Sequence, residues 1–213
     1  MIIAIDGPAA SGKGTIAKRV AAHYGLAYLD TGTLYRAVAR DTLTRSGDPA
    51  DAVEALKSAK ALDPSRLGDP GLRKPGLGEA ASLVAKHPEV RRELLAYQRS
   101  FARAKSGAVL DGRDIGTVIC AGADVKLFVT ATPEERAKRR YLELKLDGID
   151  VSEAEVLCDI LRRDERDKHR AAAPLRRAPD AHLLDTTNLD IDAAFKAAID
   201  LIDAALARAG YAG

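Results

Sequence analysis

The chain has no tryptophan, three phenylalanines, two cysteines and a single asparagine, Asn188. Each scarcity closes a class of function. With aromatics at 4%, stacking platforms for single-stranded nucleic acid are not expected. Cys120 and Cys158 show no CxxC spacing and no paired pattern, so they read as incidental thiols of a reducing compartment. The formal net charge is only +2, which gives neither a long nucleic-acid footprint nor attraction to anionic membranes. No apolar run approaches membrane-spanning length, and the opening "MIIAIDG" lacks the charged and apolar regions of a signal peptide. A cytoplasmic protein with neither nucleic-acid nor membrane partners is expected.

What is present points to one α/β unit. Its 213 residues suffice for a core domain that carries inserted mobile parts. Short apolar runs alternate with longer helical patterns, as in βαβ units around a parallel sheet. Five runs qualify as strands: Ile2–Asp6, Leu26–Asp30, Ala108–Asp111, Val125–Ala131 and Ala181–Asp185. Helices are predicted over Lys13–Tyr24, Leu34–Arg45, Pro88–Ala104 and a last segment carrying Ile191, Phe195, Ile199, Ile202 and Leu206 on one side. Thr132 with Glu135, and Ser152 with Glu155, read as capping boxes that open two further helices. Residues 62–79 are rich in Gly and Pro without a sustained period and read as loop.

"AIDGPAASGKGT" follows the first strand and opens the first helix. Gly7 and Gly12 stand five apart with Lys13 next, the spacing of a phosphate-binding loop, although Gly14 and then Thr15 replace the usual Ser or Thr. Glycines let backbone N–H groups converge on phosphate oxygens, and the helix N-terminus adds partial positive charge. The loop from Gly7 through Pro8, Ala9, Ala10, Ser11, Gly12, Lys13 and Gly14 to Thr15 is therefore the candidate ATP site. Lys13 would hold the parting phosphates, and the Thr15 hydroxyl would contact Mg²⁺. A GTPase would also need an NKxD motif, and Asn188 is followed by Leu189.

Two more signals lie at strand ends, the edge of an open parallel sheet where ligands bind. In "YLDTGTLYR", Thr31 sits at that edge and Tyr35 and Arg36 follow one turn later, with Arg36 able to grip a phosphate bidentately. In "VLDGRDIGT", Asp111 is placed to act on Mg²⁺ directly or through water, and Arg113 and Asp114 project towards the same cleft. Arg136, Arg139 and Arg140 share a helix face at i, i+3 and i+4, and Arg163, Asp167 and Arg170 share another at i, i+4 and i+7. Most charges on such a hairpin are solvated surface, yet phosphoryl transfer needs movable positive charge over the transferring group.

Taken together, "IDGPAASGKGT", "LDTGTLYR", "DGRDIGTV", "TPEERAKRR" and "RRDERDKHRAAAPL" resemble the bacterial-type cytidylate kinases, in the same order from first strand to last. The resemblance implies a three-layer αβα P-loop kinase fold with a five-stranded parallel sheet. It implies a core of residues 1–32, 106–139 and 171–213, an acceptor-nucleotide insertion over 33–105 and a helical lid over 140–170. The implied reaction is in-line transfer of the γ-phosphate of ATP to CMP or dCMP by a monomer. Arg36 and Arg113 match the family's acceptor-phosphate arginines, and Arg170 matches a further one. Thr31 matches an acceptor contact, Asp114 a residue near cytosine and sugar, Ser82 and Arg91 base-reading positions, and Arg163 with Asp167 the pair near the sugar. Lys13, Asp111, Arg113, Arg136 and Arg140 are the expected catalytic set. The insertion is shorter than in many bacterial members, which exposes strictness for CMP over UMP; the alternatives are a P-loop kinase for UMP or shikimate and, in another class, a non-catalytic ATP-binding module.

Overall fold

The computed structural model describes residues 1–210, so residues 211–213 at the end of the expected core lie outside it. All five apolar runs form strands of one parallel sheet: β1 (Ile2–Asp6), β2 (Ala27–Asp30), β3 (Ala108–Gly112), β4 (Val125–Thr130) and β5 (His182–Asp185). Their spatial order is β2-β3-β1-β4-β5. The near-continuous apolarity of the central strands β3, β1 and β4 follows from burial on both faces. In the pairing register Asp30 stands beside Asp111, and Asp6 beside Gly112, so the carboxyl ends of three strands carry aspartates to one edge.

Eight helices surround the sheet among the described residues: α1 (Lys13–Tyr24), α2 (Thr31–Thr44), α3 (Ala52–Lys60), α4 (Leu77–Val84), α5 (Pro88–Ala102), α6 (Pro133–Leu146), α7 (Glu153–His169) and α8 (Ile191–Arg208). On one face, α1 and α8 bury Val20 and Ile202 against Ile3, Ile5 and Leu127. On the other, Leu110 packs with Ala102 of α5 and with Ile115 and Ile119, which lie on a short π-helical turn, Ile115–Ile119. Each fully buried Ile or Leu contributes roughly 1.5–3 kcal/mol. The expected three-layer α/β architecture is therefore present. Among the described residues no helix is long and apolar enough to cross a membrane.

Two smaller cores sit beside the sheet. Leu34, Val38, Ala55, Val84, Val90 and Leu94 join α2, α3, α4 and the start of α5, within the expected insertion. Ala137, Leu144, Val156 and Ile160 join α6 to α7.

The structure departs from the sequence reading at several boundaries. Helix α2 starts at Thr31 rather than Leu34, directly from the strand, and α5 ends at Ala102. Residues 62–79 are not wholly loop: one-turn helices span Pro64–Gly68 and Pro70–Arg73, and α4 begins at Leu77. Asp63 and Asp69 cap those turns by accepting the N–H groups of Ser65 and Gly71. Helix α3 has no counterpart in the periodicity because its buried face consists of the small residues Ala55, Ser58 and Ala59. Its start is nevertheless capped, with Asp51 accepting from Val53 and Glu54. The capping box at Ser152 is complete. At Thr132 only half of one forms, because the Glu135 carboxylate is engaged by Arg139.

Candidate active site

The loop between β1 and α1 has the backbone that a phosphate cradle needs. A Cβ on Gly7 would stand 2.0 Å from the Val129 carbonyl oxygen, so only glycine passes there. Gly12 caps α1 with φ 82° and offers no side-chain hydrogen bond, which leaves the first-turn N–H groups open to a ligand. A groove beside this loop is lined by Ala10, Ser11, Gly12, Thr15 and Ile16, and across from them by Arg139, Thr186 and Ile191. Arg139 donates to the Thr186 carbonyl oxygen at 2.6 Å and its hydroxyl at 3.0 Å, and that hydroxyl donates to the Ser11 carbonyl at 3.1 Å. Neither Arg139 nor Thr186 was among the candidates; Arg139 lay in an arginine cluster, while Thr186 carries no motif at all.

The second cavity opens on the other side of Lys13. All ten acceptor candidates line it: Thr31, Tyr35, Arg36, Ser82, Arg91, Arg113, Asp114, Arg163, Asp167 and Arg170. Lys13, Gly14, Asp30 and Asp111 line it too. The residues come from five separate stretches of chain, and hydrogen bonds tie most of them together. Asp167 of α7 accepts from Arg113 at 2.9 Å and from Ser82 of α4 at 3.3 Å. Asp114 accepts from Arg91 and, at 3.4 Å, from Arg170. Arg36 donates to Asp30 and Thr33, each at 2.7 Å, and the Thr31 hydroxyl donates to the Asp111 carbonyl at 2.8 Å.

Electrostatics favour an anionic ligand there. Lys13 and the five arginines outnumber the four aspartates lining the cavity. Arg36 Nε, Arg91 Nη1 and Arg163 Nε are buried donors without a partner. An unpaired buried donor costs free energy that a ligand oxygen would recover. Burial and the neighbouring Arg113 push Arg163 down to about 10 and also lower Lys13. Burial and the nearby Asp30 raise the Asp111 carboxyl, while the Tyr28 hydroxyl donates to it at 3.2 Å. Burial works to raise Asp30 and Asp167, yet Arg36 and Arg113 respectively hold them below the usual carboxylate range.

Two expected catalytic arginines stand outside this cavity. Arg136 is 2% exposed and is bound bidentately to Asp164 at 2.6 and 3.1 Å. It also donates to the carbonyls of Ala131 and of Ala9 in the phosphate loop, at 2.9 and 3.2 Å. Arg140 lies further out on α6 and pairs with Glu143 at 3.0 Å.

Comparison with known proteins agrees with this geometry. Residues 3–204 match the family model described as cytidylate kinase. A cytidylate kinase of Rhodopseudomonas palustris is 59% identical over 204 residues, 96% of each chain. One from Nitrobacter winogradskyi is 58% identical over 212 residues, the full length of both. An uncharacterized protein from Eubacterium ventriosum superposes with a TM-score of 0.57 at 15% identity, over 95% of this chain and 98% of that one, a likeness of fold alone. A P-loop at the end of β1, a basic cavity across from it and these matches along nearly the whole chain lead to one conclusion: the chain belongs to the cytidylate kinase family.

Proposed function

We propose that the chain carries out its family's reaction, transfer of a phosphoryl group from ATP to CMP, with ATP along the phosphate loop and CMP in the basic cavity. The observation that carries this assignment is the set of orphaned guanidinium donors, Arg36 Nε, Arg91 Nη1 and Arg163 Nε, around one cavity beside Lys13. A nucleoside monophosphate supplies the missing acceptors. Arg36, Arg113 and Arg170 grip its phosphate, Arg163 and Asp167 hold the sugar, and Thr31 and Tyr35 wall the pocket. Ser82, Arg91 and Asp114 read the base, because cytosine presents an amine donor beside ring acceptors. Lys13 lies where donor and acceptor phosphates meet and neutralises charge on the group in flight, a stabilisation available only if it is already in place. The acceptor phosphate is anionic, so no general base is required. dCMP fits the same scheme.

Mg²⁺ fits the donor atoms present. The Thr15 hydroxyl and the Asp111 carboxylate are oxygen donors, and among the described residues no group of three or more His, Cys, Asp or Glu forms a dedicated cage. That sparse supply suits an ion that keeps several waters and takes its remaining ligands from substrate phosphates. When bound, the ion offsets phosphate charge.

The insertion over 33–105 and the lid over 140–170 would close on the two nucleotides. Arg140, held only by an exposed pair, is free to turn onto the transferring group. Arg136, locked by Asp164 and by the Ala9 carbonyl, instead braces the phosphate loop. The same proposal takes the chain as a monomer acting on small molecules.

A coupled ADP-release assay tests the reading, with ATP–Mg²⁺ and CMP, dCMP, UMP, AMP or shikimate as acceptor and Lys13→Ala as control. Turnover confined to CMP and dCMP and lost in the control is the expected result. Comparable use of UMP would remove the base-reading roles of Ser82 and Arg91. No turnover with any acceptor would remove the kinase assignment.

A further inference from the structure

Asp114 stands at the N-cap of the π-helical turn Ile115–Ile119, with φ −146° and ψ 27°. Its carbonyl accepts from Val118 at 2.9 Å and Ile119 at 3.1 Å. An aspartate at an N-cap ordinarily turns its carboxylate onto the free N–H groups of the following turn. This one does not: its two oxygens face Arg91 and Arg170 across the cavity. The Ile115 and Gly116 N–H groups are taken by another carboxylate, that of Asp6, whose Oδ1 and Oδ2 accept them at 2.8 Å each. Asp6 ends β1, is 4% exposed, and pairs in register with Gly112.

We propose that Asp6 is a positioning residue for the acceptor site: by capping the turn after Asp114 from a different strand, it keeps the Asp114 carboxylate facing Arg91 and Arg170. This rests on the placement of the acceptor nucleotide in the basic cavity. Two carboxylates, each 4% exposed, compete for one pair of N–H groups, and Asp6 holds both. Burial, opposed by the two N–H bonds, raises Asp6 to about 6, so at assay pH near 8 it is ionised and accepts with both oxygens. Its charged surroundings are Asp114, Arg113 and the stem of Lys126, whose ammonium is held by Asp180 at 2.7 Å.

Asp6→Asn tests this. The amide keeps one acceptor and sets an N–H group against the second donor, leaving a buried donor that the Asp114 carboxylate is next in line to satisfy. Each time Asp114 turns inward, a charge-assisted bond to Arg91 or Arg170 is lost. The KM for CMP is expected to rise about tenfold, with the KM for ATP within about twofold of wild type. In an Asp114→Ala background the Asp6→Asn change should add almost nothing to the KM for CMP, because the group it acts through is gone.

A parallel rise in both KM values, or full additivity in the double variant, would mark Asp6 as merely structural and overturn the proposal. If Asp114→Ala alone leaves the KM for CMP unchanged, it is the acceptor-site reading that fails. Should Asp6→Asn not fold, Gly116→Ala probes the same bond without changing charge. Its Cβ would stand 3.4 Å from Asp6 Oδ2 and 3.1 Å from Lys126 Cδ. A rise of about threefold in the KM for CMP alone is then expected, and no change would overturn the proposal.

Discussion

The groove proposed for the donor and the cavity proposed for the acceptor adjoin the phosphate loop and are built from different materials. The donor side is one contiguous stretch, Gly7 to Thr15, whose binding groups are backbone N–H groups at the start of α1. Its one lining arginine, Arg139, is committed to Thr186 and Glu135. The acceptor side is made of side chains: Lys13, five arginines and four aspartates gathered from the start of α1, β2, α2, α5, β3 with the loop after it, and α7 with its C-cap. Backbone presents the same groups whatever the residue, so a phosphate cradle needs little beyond glycines and a helix. Selecting one nucleotide takes side chains whose positions depend on one another, and these come as ion pairs already formed before any ligand arrives.

The largest effect is expected where the two sides meet. Lys13 is the one charged residue of the loop that lines the acceptor cavity. Lys13→Ala should lower kcat about 10³-fold in ADP release, as for loss of a preorganised charge at the transferring group. Retention of most activity would dissolve the boundary between the two sites.

Asp164→Ala probes the brace behind the donor loop. It leaves Arg136 buried without its carboxylate and should cost about 3 kcal/mol in thermal or urea unfolding, while the KM for CMP stays within about twofold. A large rise in that KM would mean the brace belongs to the acceptor side.

Arg163→Met sharpens the contrast from the other direction. Removing a buried cation with an unpaired Nε should leave the free protein equally or more stable, yet raise the KM for CMP about 10- to 100-fold. Loss of stability without a change in KM would reverse that assignment.

The smallest effect concerns Asp111, raised to about 7 chiefly by burial and then by Asp30. A carboxyl raised on folding contributes stability that is present below its ordinary value near 4 and is lost as pH rises through the raised value. Asp111→Asn should therefore stabilise the protein against unfolding more at pH 8 than at pH 5, by on the order of 1–2 kcal/mol. An equal gain at both values would show that charge at Asp111 is not the cause.

Much of this was legible beforehand because the informative residues are neighbours in the chain. The phosphate loop is continuous, and "DTGTLYR" and "DGRD" each place an arginine at a strand end. The ten acceptor candidates come from motif resemblance, and the structure brings all of them to one cavity. What escaped depends on distant partners. Arg136 looks like its neighbour Arg140 in the sequence, and only Asp164, packed against it from α7, separates a locked side chain from an exposed one. Helix α3 was hidden because alanines and a serine carry no apolar period.

The sequence by itself determined the five strands, six of the eight helices among the described residues, the phosphate loop and the family, since local periodicity and contiguous motifs encode these. Only the tertiary structure decided which charges are free to meet a ligand and which are consumed by the fold. A carboxylate is available or spent according to what stands within about 3 Å of it, and in this chain that neighbour usually lies far away in sequence. Asp6 and Asp114 show the difference: both are buried aspartates, one bound to two backbone N–H groups and the other to two arginines.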